Sequence, residues 1–266
     1  MPIDWLDVTH LSFQSILLFE RIQLTWFPGW RFPEPAMSLA LEANPAVAWF
    51  VTHKCPEAGG WVASELERAA AARGGKILTT AEIREVEVAA LGALVDLLVY
   101  AVDPEVYDRL PFLGWDSNEL TGLLDFRGKR VLDIGAGTGR LAFAVSGLAQ
   151  AVWAVEPVAN LRGYMKDKAR RLGLNNFYAV DGIITAIPFP NGFADVVICG
   201  HVFGDDLEEE HAEMARVTCP GGSIILCPGN NDRDDESHAF LVEHGYQWSV
   251  FIEPPADPKR KYWLKV

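Results

Sequence analysis

The segment 131–140, VLDIGAGTGR, constrains the fold of this 266-residue chain more than any other part of it. An apolar strand runs into three glycines and then into a helical stretch. Glycines there permit a tight turn and allow a ligand to approach bare backbone. The start of a helix also offers unpaired N–H groups that suit an anionic group. The segment therefore predicts a ligand-binding loop at the end of a buried strand.

From Lys129 onward, short β-rich runs alternate with helical stretches. This alternation is typical of parallel strands joined by right-handed crossovers, and it predicts an α/β fold with a doubly wound sheet. The tail predicts a helix and then a hairpin, so the last strand should enter the sheet antiparallel. Strands are predicted at 130–134, 151–155, 177–180, 194–199 and 223–227, with hairpin strands at 246–252 and 261–266.

Residues 1–116 have a helical pattern and are predicted to form a region separate from a domain at 117–266. Thr79 and Glu82 have the spacing of a capping box. Apolar residues then recur at helical spacing until Asp103-Pro104, which ends or restarts the helix. Helices are predicted at 11–26, at 61–73 and after Thr79 as far as Ala101.

Composition excludes several function classes. The net charge is −13 and no long basic run is present, which argues against non-specific nucleic-acid binding. The longest apolar run, 89–102, contains Asp96 and is too short to span a bilayer. No Lys or Arg precedes Arg21, which is wrong for a secretory signal. We expect a cytoplasmic protein without a membrane partner.

The four cysteines show no Cys-x-x-Cys pair, so neither a zinc site nor a disulfide framework is indicated. His53 and Cys55 lack a matching second pair of ligands. We expect no metal. Cys199 and Cys227 lie in apolar runs and are predicted to be small buried hydrophobic residues.

Three kinds of nucleotide-binding loop compete for the segment 131–140. A Walker loop would need Lys and Ser or Thr after its last glycine, but Gly139 is followed by Arg140 and Leu141. A dinucleotide fingerprint would need glycine at the position of Arg140. The pattern that remains is Asp-x-Gly-x-Gly-x-Gly with its leading acid, Asp133.

This pattern resembles class I S-adenosylmethionine-dependent methyltransferases, and the resemblance covers roughly residues 120–266. The resemblance includes two acids, Glu156 at the end of the second strand and Asp181 after the third. It also includes 193–199 (FADVVIC) as the fourth strand and 219–223 (CPGGS) as the turn into the fifth. The resemblance implies a Rossmann-like, seven-stranded sheet. It also implies S-adenosylmethionine as cofactor and S-adenosylhomocysteine as product.

The resemblance also assigns roles to residues. Asp133 would orient the ammonium of the cofactor, the loop 135–139 would pass under its methionine moiety, and Glu156 would hold the ribose. Asp181 with Ile183 would frame the adenine. The full predicted cofactor site is Asp133, Gly135, Ala136, Gly137, Thr138, Gly139, Glu156, Pro157, Asp181, Gly182, Ile183, Cys199 and Gly200.

His201, just past the fourth strand, is the candidate catalytic residue. Methyl transfer needs a general base only if the acceptor must lose a proton, and histidine titrates near neutrality. The alternative is that His201 only packs beside the cofactor or caps the helix that begins near Asp205 or Asp206.

The acceptor is expected to be a small organic molecule. The Asn/Asp-Pro-Pro-aromatic motif of nucleic-acid amino methylation is absent after the fourth strand, and the Pro-Cys nucleophile of cytosine-C5 enzymes is missing. The N-terminal region would cover the cofactor and set specificity through its tryptophans. The same aromatics would equally serve as the core of a helical domain or as a homodimer face. They are Trp5, Trp26, Trp30, Trp49, Trp61 and Trp115.

Two other functions stay open at this point. A nicotinamide-dependent oxidoreductase shares the arrangement of strand, loop, helix and acid, although Arg140 disfavours it. A cofactor-binding protein that has lost its acceptor site would carry the same loop.

Overall fold

The chain divides into two compact units, Met1–Tyr107 and Asp108–Val266, called unit 1 and unit 2. The computed structural model describes residues 6–266, so Trp5 lies outside the described residues. The sequence pattern had suggested a boundary at residues 116 and 117. The segment 108–116 packs on unit 2 instead, because Asp108 accepts hydrogen bonds from Lys168 at 2.8 and 2.9 Å.

Unit 1 is a helical unit with one apolar core. Its largest buried side chains include Phe13, Leu24, Phe27, Leu41 and Leu98. The α-helices are α1 (Arg21–Thr25), α2 (Ala36–Ala43), α3 (Pro45–Lys54), α4 (Gly59–Arg73), α5 (Thr80–Ala93), α6 (Val95–Val102) and α7 (Pro104–Asp108), which runs to the unit boundary. Short 3₁₀ turns span Val8–His10, Phe13–Leu18, Phe27–Gly29 and Pro56–Ala58.

The predicted capping box is confirmed at the start of α5. The N–H of Glu82 donates to the hydroxyl of Thr79 at 3.3 Å, and the N–H of Thr79 donates to the Glu82 carboxylate at 2.9 Å. Two orphan donors of the helix start are thereby satisfied. At the end of α4, Gly74 adopts the left-handed conformation with φ 58°, which closes that helix as predicted.

The prediction of one helix at 11–26 is wrong. Phe19 and Glu20 are extended, with ψ 142° and 160°, and separate a 3₁₀ turn from α1. Glu20 forms a new capping box with Gln23, and the extended backbone turns the ring of Phe19 into the core, where it is 1% exposed. Burial of that ring thus overrides the helical periodicity of the sequence.

The long helix predicted after Thr79 is also interrupted, at Leu94 between α5 and α6. The interruption frees the carbonyl of Ala93, which accepts a hydrogen bond from the indole N–H of Trp30 at 2.7 Å. Leu94 itself is fully buried. A distant side chain therefore satisfies the backbone group that the break exposes.

Unit 2 is built on a seven-stranded sheet in the order β3-β2-β1-β4-β5-β7-β6. Strands β1 to β5 are parallel, and β7 runs antiparallel to both β5 and β6. This confirms the predicted doubly wound sheet with an antiparallel last strand. The strands are β1 (Arg130–Ile134), β2 (Ala151–Val155), β3 (Phe177–Val180), β4 (Ala194–Cys199), β5 (Thr218–Asn231), β6 (Gln247–Glu253) and β7 (Asp257–Lys265).

Strands β5 and β7 are longer than the sequence predicted. Asn230 and Asn231 pair with Arg260 and Lys259 beyond the apolar run that marked β5. Arg260 also makes ion pairs with Asp232 at 2.8 Å and with Asp234 at 2.9 Å. These pairs continue the ladder through polar residues, which hydrophobic patterning does not detect.

Helices cover both faces of the sheet. Val131 and Leu132, consecutive on β1, belong to separate apolar clusters, as alternation along a strand requires. One cluster takes in Met165 and the other Met214. The helices of unit 2 are α8 (Asn118–Thr121), α9 (Arg140–Ser146), α10 (Ala159–Arg171), α11 (Leu207–Val217) and α12 (Glu236–Glu243), with a 3₁₀ turn at Pro111–Gly114.

No helix within residues 6–266 combines the length and the hydrophobicity needed to cross a bilayer.

Replacing Thr79 by alanine should lower the free energy of unfolding of unit 1 by about 1 kcal/mol, because the N-cap hydrogen bond is lost. Urea unfolding followed by tryptophan fluorescence measures this change. Thr80→Ala, at the exposed neighbouring position, is the control and should change stability by much less. Equal effects of the two substitutions would show that the capping box contributes nothing measurable.

Candidate functional site

The carboxyl ends of four parallel strands lie side by side in unit 2. Ile134 at the end of β1 stands opposite Val155 on one side and Cys199 on the other, and Val155 stands opposite Val180. Residues that follow these strands therefore emerge at one edge of the sheet. The structure brings together there the predicted residues of the β1 loop (133–139), Glu156 and Pro157, Asp181 to Ile183, and Cys199 to His201.

Two glycines of the β1 loop cannot be replaced without displacing neighbours. Gly135 has φ 65°, and a Cβ there would lie 2.3 Å from a methyl group of Val202. Gly139 has φ 84°, and its Cβ would lie 2.7 Å from the ring of Phe143. The loop thus needs glycine both for its backbone angles and for close packing.

The loop uses several of its own N–H groups internally. Gly135 and Ala136 both donate to the carbonyl of Val155, at 2.8 and 3.1 Å, and Gly139 donates to the carbonyl of Ala136 at 2.7 Å. A sharp turn must satisfy its buried backbone groups. These three N–H groups are therefore hydrogen-bonded within the protein.

Glu156 links the β1 loop to the start of the segment after β2. One carboxylate oxygen accepts from the N–H of Gly137 at 2.9 Å, and the other accepts from the N–H of Val158 at 2.8 Å. The side chain is almost fully buried, and burial raises its pKa to about 7. Each carboxylate oxygen has two acceptor directions, so the group can still accept from ligand hydroxyls.

Asp133 is a buried carboxyl group with one oxygen left without a donor. Its Oδ2 accepts from the N–H of Ala142 at 2.9 Å, whereas Oδ1 finds no hydrogen-bond partner among residues 6–266. Burial, with a smaller contribution from the charge of Glu156, raises the pKa of Asp133 to about 8. An unpaired buried acceptor is costly unless a ligand supplies a donor.

Arg162 ties the ends of β2 and β3 together. Its guanidinium donates to the carbonyl of Glu156 at 2.7 Å and to the carboxylate of Asp181 at 2.9 Å. Asp181 is otherwise open, with its side chain 74% exposed. The sequence did not single out Arg162, because an arginine on a helix after a strand is an ordinary solvent-exposed residue in most chains.

Cys199 and Gly200 contribute to the packing of the sheet and have no polar side chain to offer a ligand. The Cys199 thiol is buried and its pKa lies well above the ordinary value, chiefly because of desolvation. It packs in the sheet as a small apolar group, as predicted. Gly200 permits close strand approach, since a Cβ there would lie 2.9 Å from the carbonyl oxygen of Cys227.

His201 lies in an unusual backbone conformation beside a buried acid. Its φ is 59°, and no other non-glycine residue in the described part of the chain has a positive φ. The Nε2 atom lies 2.7 Å from the Glu253 carboxylate, which is 4% exposed. Glu253 is 52 residues away along the chain, so sequence patterns gave no signal for this pair.

The helix-capping alternative for His201 is excluded. Asp206 is the N-cap of α11, and its carboxylate accepts from the N–H of Glu209 at 3.1 Å. Glu210 binds the N–H groups of Gly204, at 2.7 Å, and of Asp206, at 3.2 Å. Carboxylates thus already satisfy the start of this helix.

Arg140 has a structural contact that explains its place in the loop. Its guanidinium donates to the carbonyls of Leu113, at 2.6 Å, and of Trp115, and it lies 4.7 Å from the ring centroid of Trp115. It thereby fastens the segment before α8 onto the helix that follows the glycine loop.

Comparison with known protein families gives one family match within unit 2. Residues 132–226 match the family model described as "Methyltransferase domain". These residues run from β1 into β5 and include the whole β1 loop, Glu156, Asp181 and His201. This part of unit 2 is therefore similar to that methyltransferase family. The sheet order and the antiparallel β7 agree with the seven-stranded sheet that the sequence resemblance implies.

Two curated relatives of the methyltransferase domain are similar in sequence. An uncharacterized methyltransferase of Bacillus subtilis (strain 168), YcgJ, is 32% identical over 100 residues, which cover 36% of this chain and 39% of that protein. An uncharacterized methyltransferase of Anoxybacillus flavithermus is 25% identical over 175 residues, covering 64% of this chain and 78% of that protein. The match thus spans less than half the length of the Bacillus relative.

Among solved structures, a SAM-dependent methyltransferase of Aquifex aeolicus is similar with a TM-score of 0.48 and 18% identity, covering 60% of this chain and 98% of that chain. The solved YcgJ structure gives a TM-score of 0.46 and 21% identity over 51% of this chain and 69% of that chain.

Asp133→Asn should change how stability depends on pH. The carboxyl group titrates near 3.8 when unperturbed and near 8 in the folded protein, so the unfolded chain releases a proton that the folded chain keeps. The folded protein favours the protonated form of Asp133. The free energy of unfolding is therefore unaffected by this group below about pH 4, and it falls as the pH rises to about 8, where the buried carboxyl group must ionise. The variant cannot ionise at this position, so it should gain stability relative to the wild type from pH 5 to pH 8.

Thermal unfolding at several pH values measures this difference. Asp167→Asn, on the exposed face of α10, is the matched control and should follow the wild type. A constant difference between Asp133→Asn and the wild type across this range would mean that Asp133 is already ionised in the folded protein.

Proposed function

We propose that this protein transfers a methyl group from S-adenosylmethionine to a small organic acceptor. The observation that carries the proposal is Asp133, a buried carboxyl with an unpaired oxygen beside a glycine loop in a methyltransferase domain. An acceptor atom left unpaired in this way fits a ligand that carries an ammonium donor. The amino acid moiety of S-adenosylmethionine has such a group.

Residues at the strand ends would hold the cofactor. The Oδ1 atom of Asp133 would accept from its ammonium, and Glu156 would accept from its ribose hydroxyls while keeping its bonds to the backbone. Asp181, held by Arg162, and Ile183 would border the adenine. When bound, the cofactor supplies an activated methyl group. The protein then contributes mainly by holding donor and acceptor in line.

Charge and motif content support a small-molecule acceptor. The net charge of −13 disfavours a polyanionic substrate, and β4 runs into Gly200-His201-Val202 in place of a nucleic-acid amino-methylation motif. For the location of the protein we keep the cytoplasm as our proposal.

We further propose that unit 1 selects the acceptor. Its own residues form a pocket of about 720 Å³ whose wall includes Trp30, Phe32 and Trp61. The wall also includes Arg31, Glu34, Glu65 and Arg68, so the pocket offers an acceptor both aromatic faces and charged groups. The other tryptophans differ, since Trp49 is 62% exposed and Trp115 lies buried in the core of unit 2.

Neither alternative function gains support. Arg140, which occupies the third-glycine position of a dinucleotide fingerprint, is engaged with the carbonyls of Leu113 and Trp115, so the fingerprint is broken by a residue with a structural role. The relatives found are named methyltransferases, and nothing in them suggests a nicotinamide enzyme.

Calorimetric titration with S-adenosylmethionine and S-adenosylhomocysteine tests the proposal. We expect micromolar binding by the wild type and at least tenfold weaker binding by Glu156→Ala, a loss of about 1.4 kcal/mol or more. Asp167→Ala removes the same charge type from an exposed position and should bind as the wild type does. Because the pKa of Asp133 is about 8 in the free protein, binding near pH 7 should release a proton, and Asp133→Asn should reduce that release.

Each outcome discriminates between the proposals. Failure of folded wild-type protein to bind either compound would refute the methyltransferase proposal, and NADH fluorescence would then test the oxidoreductase. Tight binding without methyl transfer to any acceptor would favour the inactive cofactor-binding protein. Undiminished binding by Glu156→Ala would refute its role at the ribose.

A further inference from the structure

His201 and Glu253 form a hydrogen-bonded imidazole–carboxylate pair at the carboxyl edge of the sheet. The Nε2 atom of His201 lies 2.7 Å from Oε1 of Glu253. The ammonium of Lys259 lies 3.7 Å from the other carboxylate oxygen of Glu253 and 2.8 Å from Asp257. The Glu253 carboxylate thus lies between an imidazole and an ammonium group.

This arrangement selects one tautomer of the imidazole. An ionised carboxylate only accepts hydrogen bonds, so Nε2 of His201 must carry the proton that is shared with Glu253. In the neutral ring Nδ1 is then an unprotonated nitrogen with a free lone pair. No residue within 6–266 hydrogen-bonds to Nδ1. The pair therefore presents a basic nitrogen whose direction is fixed by a buried group.

Glu253 is the buried member of the pair, and His201 is the partly exposed one. The Glu253 side chain is 4% exposed, whereas that of His201 is 38% exposed. The ring of Phe112 packs edge-on against the imidazole, with centroids 5.7 Å apart. A ligand can thus reach the imidazole while the carboxylate behind it stays dry, which strengthens their interaction.

The backbone holds His201 next to the glycine loop. The N–H of His201 donates to the carbonyl of Pro228 at 3.1 Å, and the following residue, Val202, packs directly on Gly135. The left-handed conformation of a non-glycine residue costs about 1–3 kcal/mol and tends to persist at functional sites. The conformation of His201 is therefore an observation that points to a functional role at this position.

We propose that His201 is a general base, positioned by Glu253, that removes a proton from a hydroxyl group of the acceptor, so that the site methylates oxygen. This inference rests on the proposed methyltransferase function. The hydroxyl proton passes to Nδ1 of His201, and the freed oxygen lone pair forms the new bond to the methyl carbon. The bond between that carbon and sulfur breaks, with its electron pair remaining on sulfur, and the imidazolium later releases its proton to water.

The chemistry of the acceptor follows from the need for a base. A neutral amine already has a free lone pair, and a carboxylate is already ionised at neutral pH. A phenolic or enolic hydroxyl has a much higher pKa than a carboxyl group, so its attack is assisted by an imidazole within reach. We therefore expect hydroxyl compounds of this kind as acceptors.

The tautomer of His201 can be measured in the free protein, without cofactor or acceptor. In ¹⁵N-histidine-labelled protein, the His201 signals, assigned from their loss in His201→Ala, should show a protonated Nε2 and an unprotonated Nδ1 in the neutral form of the ring, which a pH titration of the signals identifies. Glu253→Gln is nearly isosteric but lacks the charge, and it should give a mixture of tautomers. Glu243→Gln, at an exposed position on α12, is the control and should leave the spectrum unchanged.

The kinetic test uses S-adenosylmethionine with a series of para-substituted phenols. We expect His201→Ala to lower kcat by about 10²-fold or more, the usual contribution of a general base, and Glu253→Gln to lower it about tenfold or more. The acceptor KM should change by less than about threefold in both. The loss of kcat in each variant should become smaller as the phenol becomes more acidic, and should be smallest with 4-nitrophenol. The variant that combines His201→Ala with Glu253→Gln should have a kcat no lower than that of His201→Ala alone.

Failure of this inference can be told apart from failure of the proposed function. Loss of cofactor binding by the wild type would refute the function while the tautomer measurement still stands. With the cofactor bound, transfer to amines or thiols but to no hydroxyl compound, or no transfer to any of these, would overturn the inference. It would also be overturned by a protonated Nδ1 in the wild type or by an unchanged tautomer in Glu253→Gln. Should that variant not fold, Glu253→Asp, which is one methylene too short for the 2.7 Å contact, serves in its place.

Discussion

Parallel pairing of β1 with β2 and β4 sets the position of the groups that follow these three strands. Ile134 stands opposite both Val155 and Cys199, so the chain leaves three neighbouring strands at the same level of the sheet. A shift of one residue in either pairing would turn the side chains of that strand to the other face. A shift between β1 and β2 would also separate the Glu156 carboxylate from the N–H of Gly137, whose 2.9 Å hydrogen bond now joins the second strand to the glycine loop.

This edge of the sheet gathers polar groups that oppose stability. Asp133 and Glu156 are both buried, and desolvation raises both pKa values. His201 has a left-handed backbone. Such features are expected where a protein departs from local rules to bind or react with a ligand. The apolar clusters on the two faces of the sheet hold these groups in place, since β1 contributes Val131 to one and Leu132 to the other.

Much of unit 2 could be predicted from the sequence, and less of unit 1. The strands β1 to β4 have the predicted bounds, because short apolar runs between glycines and helices carry an unambiguous pattern. In unit 1 the helical periodicity at 11–26 concealed the extended residues Phe19 and Glu20. There the burial of one aromatic ring outweighed weak helical propensity, and no local pattern records that balance.

The sequence by itself determined the α/β fold, the glycine loop and the acids at the strand ends, because these depend on local patterns within about ten residues. Only the tertiary structure decided which groups became partners. Glu253 lies 52 residues from His201 along the chain, and Asp181 lies 19 residues from Arg162, which also binds the backbone of Glu156. Their distances depend on how β6 and α10 pack against the rest of unit 2. That packing is a property of the whole apolar core, which no single stretch of sequence specifies.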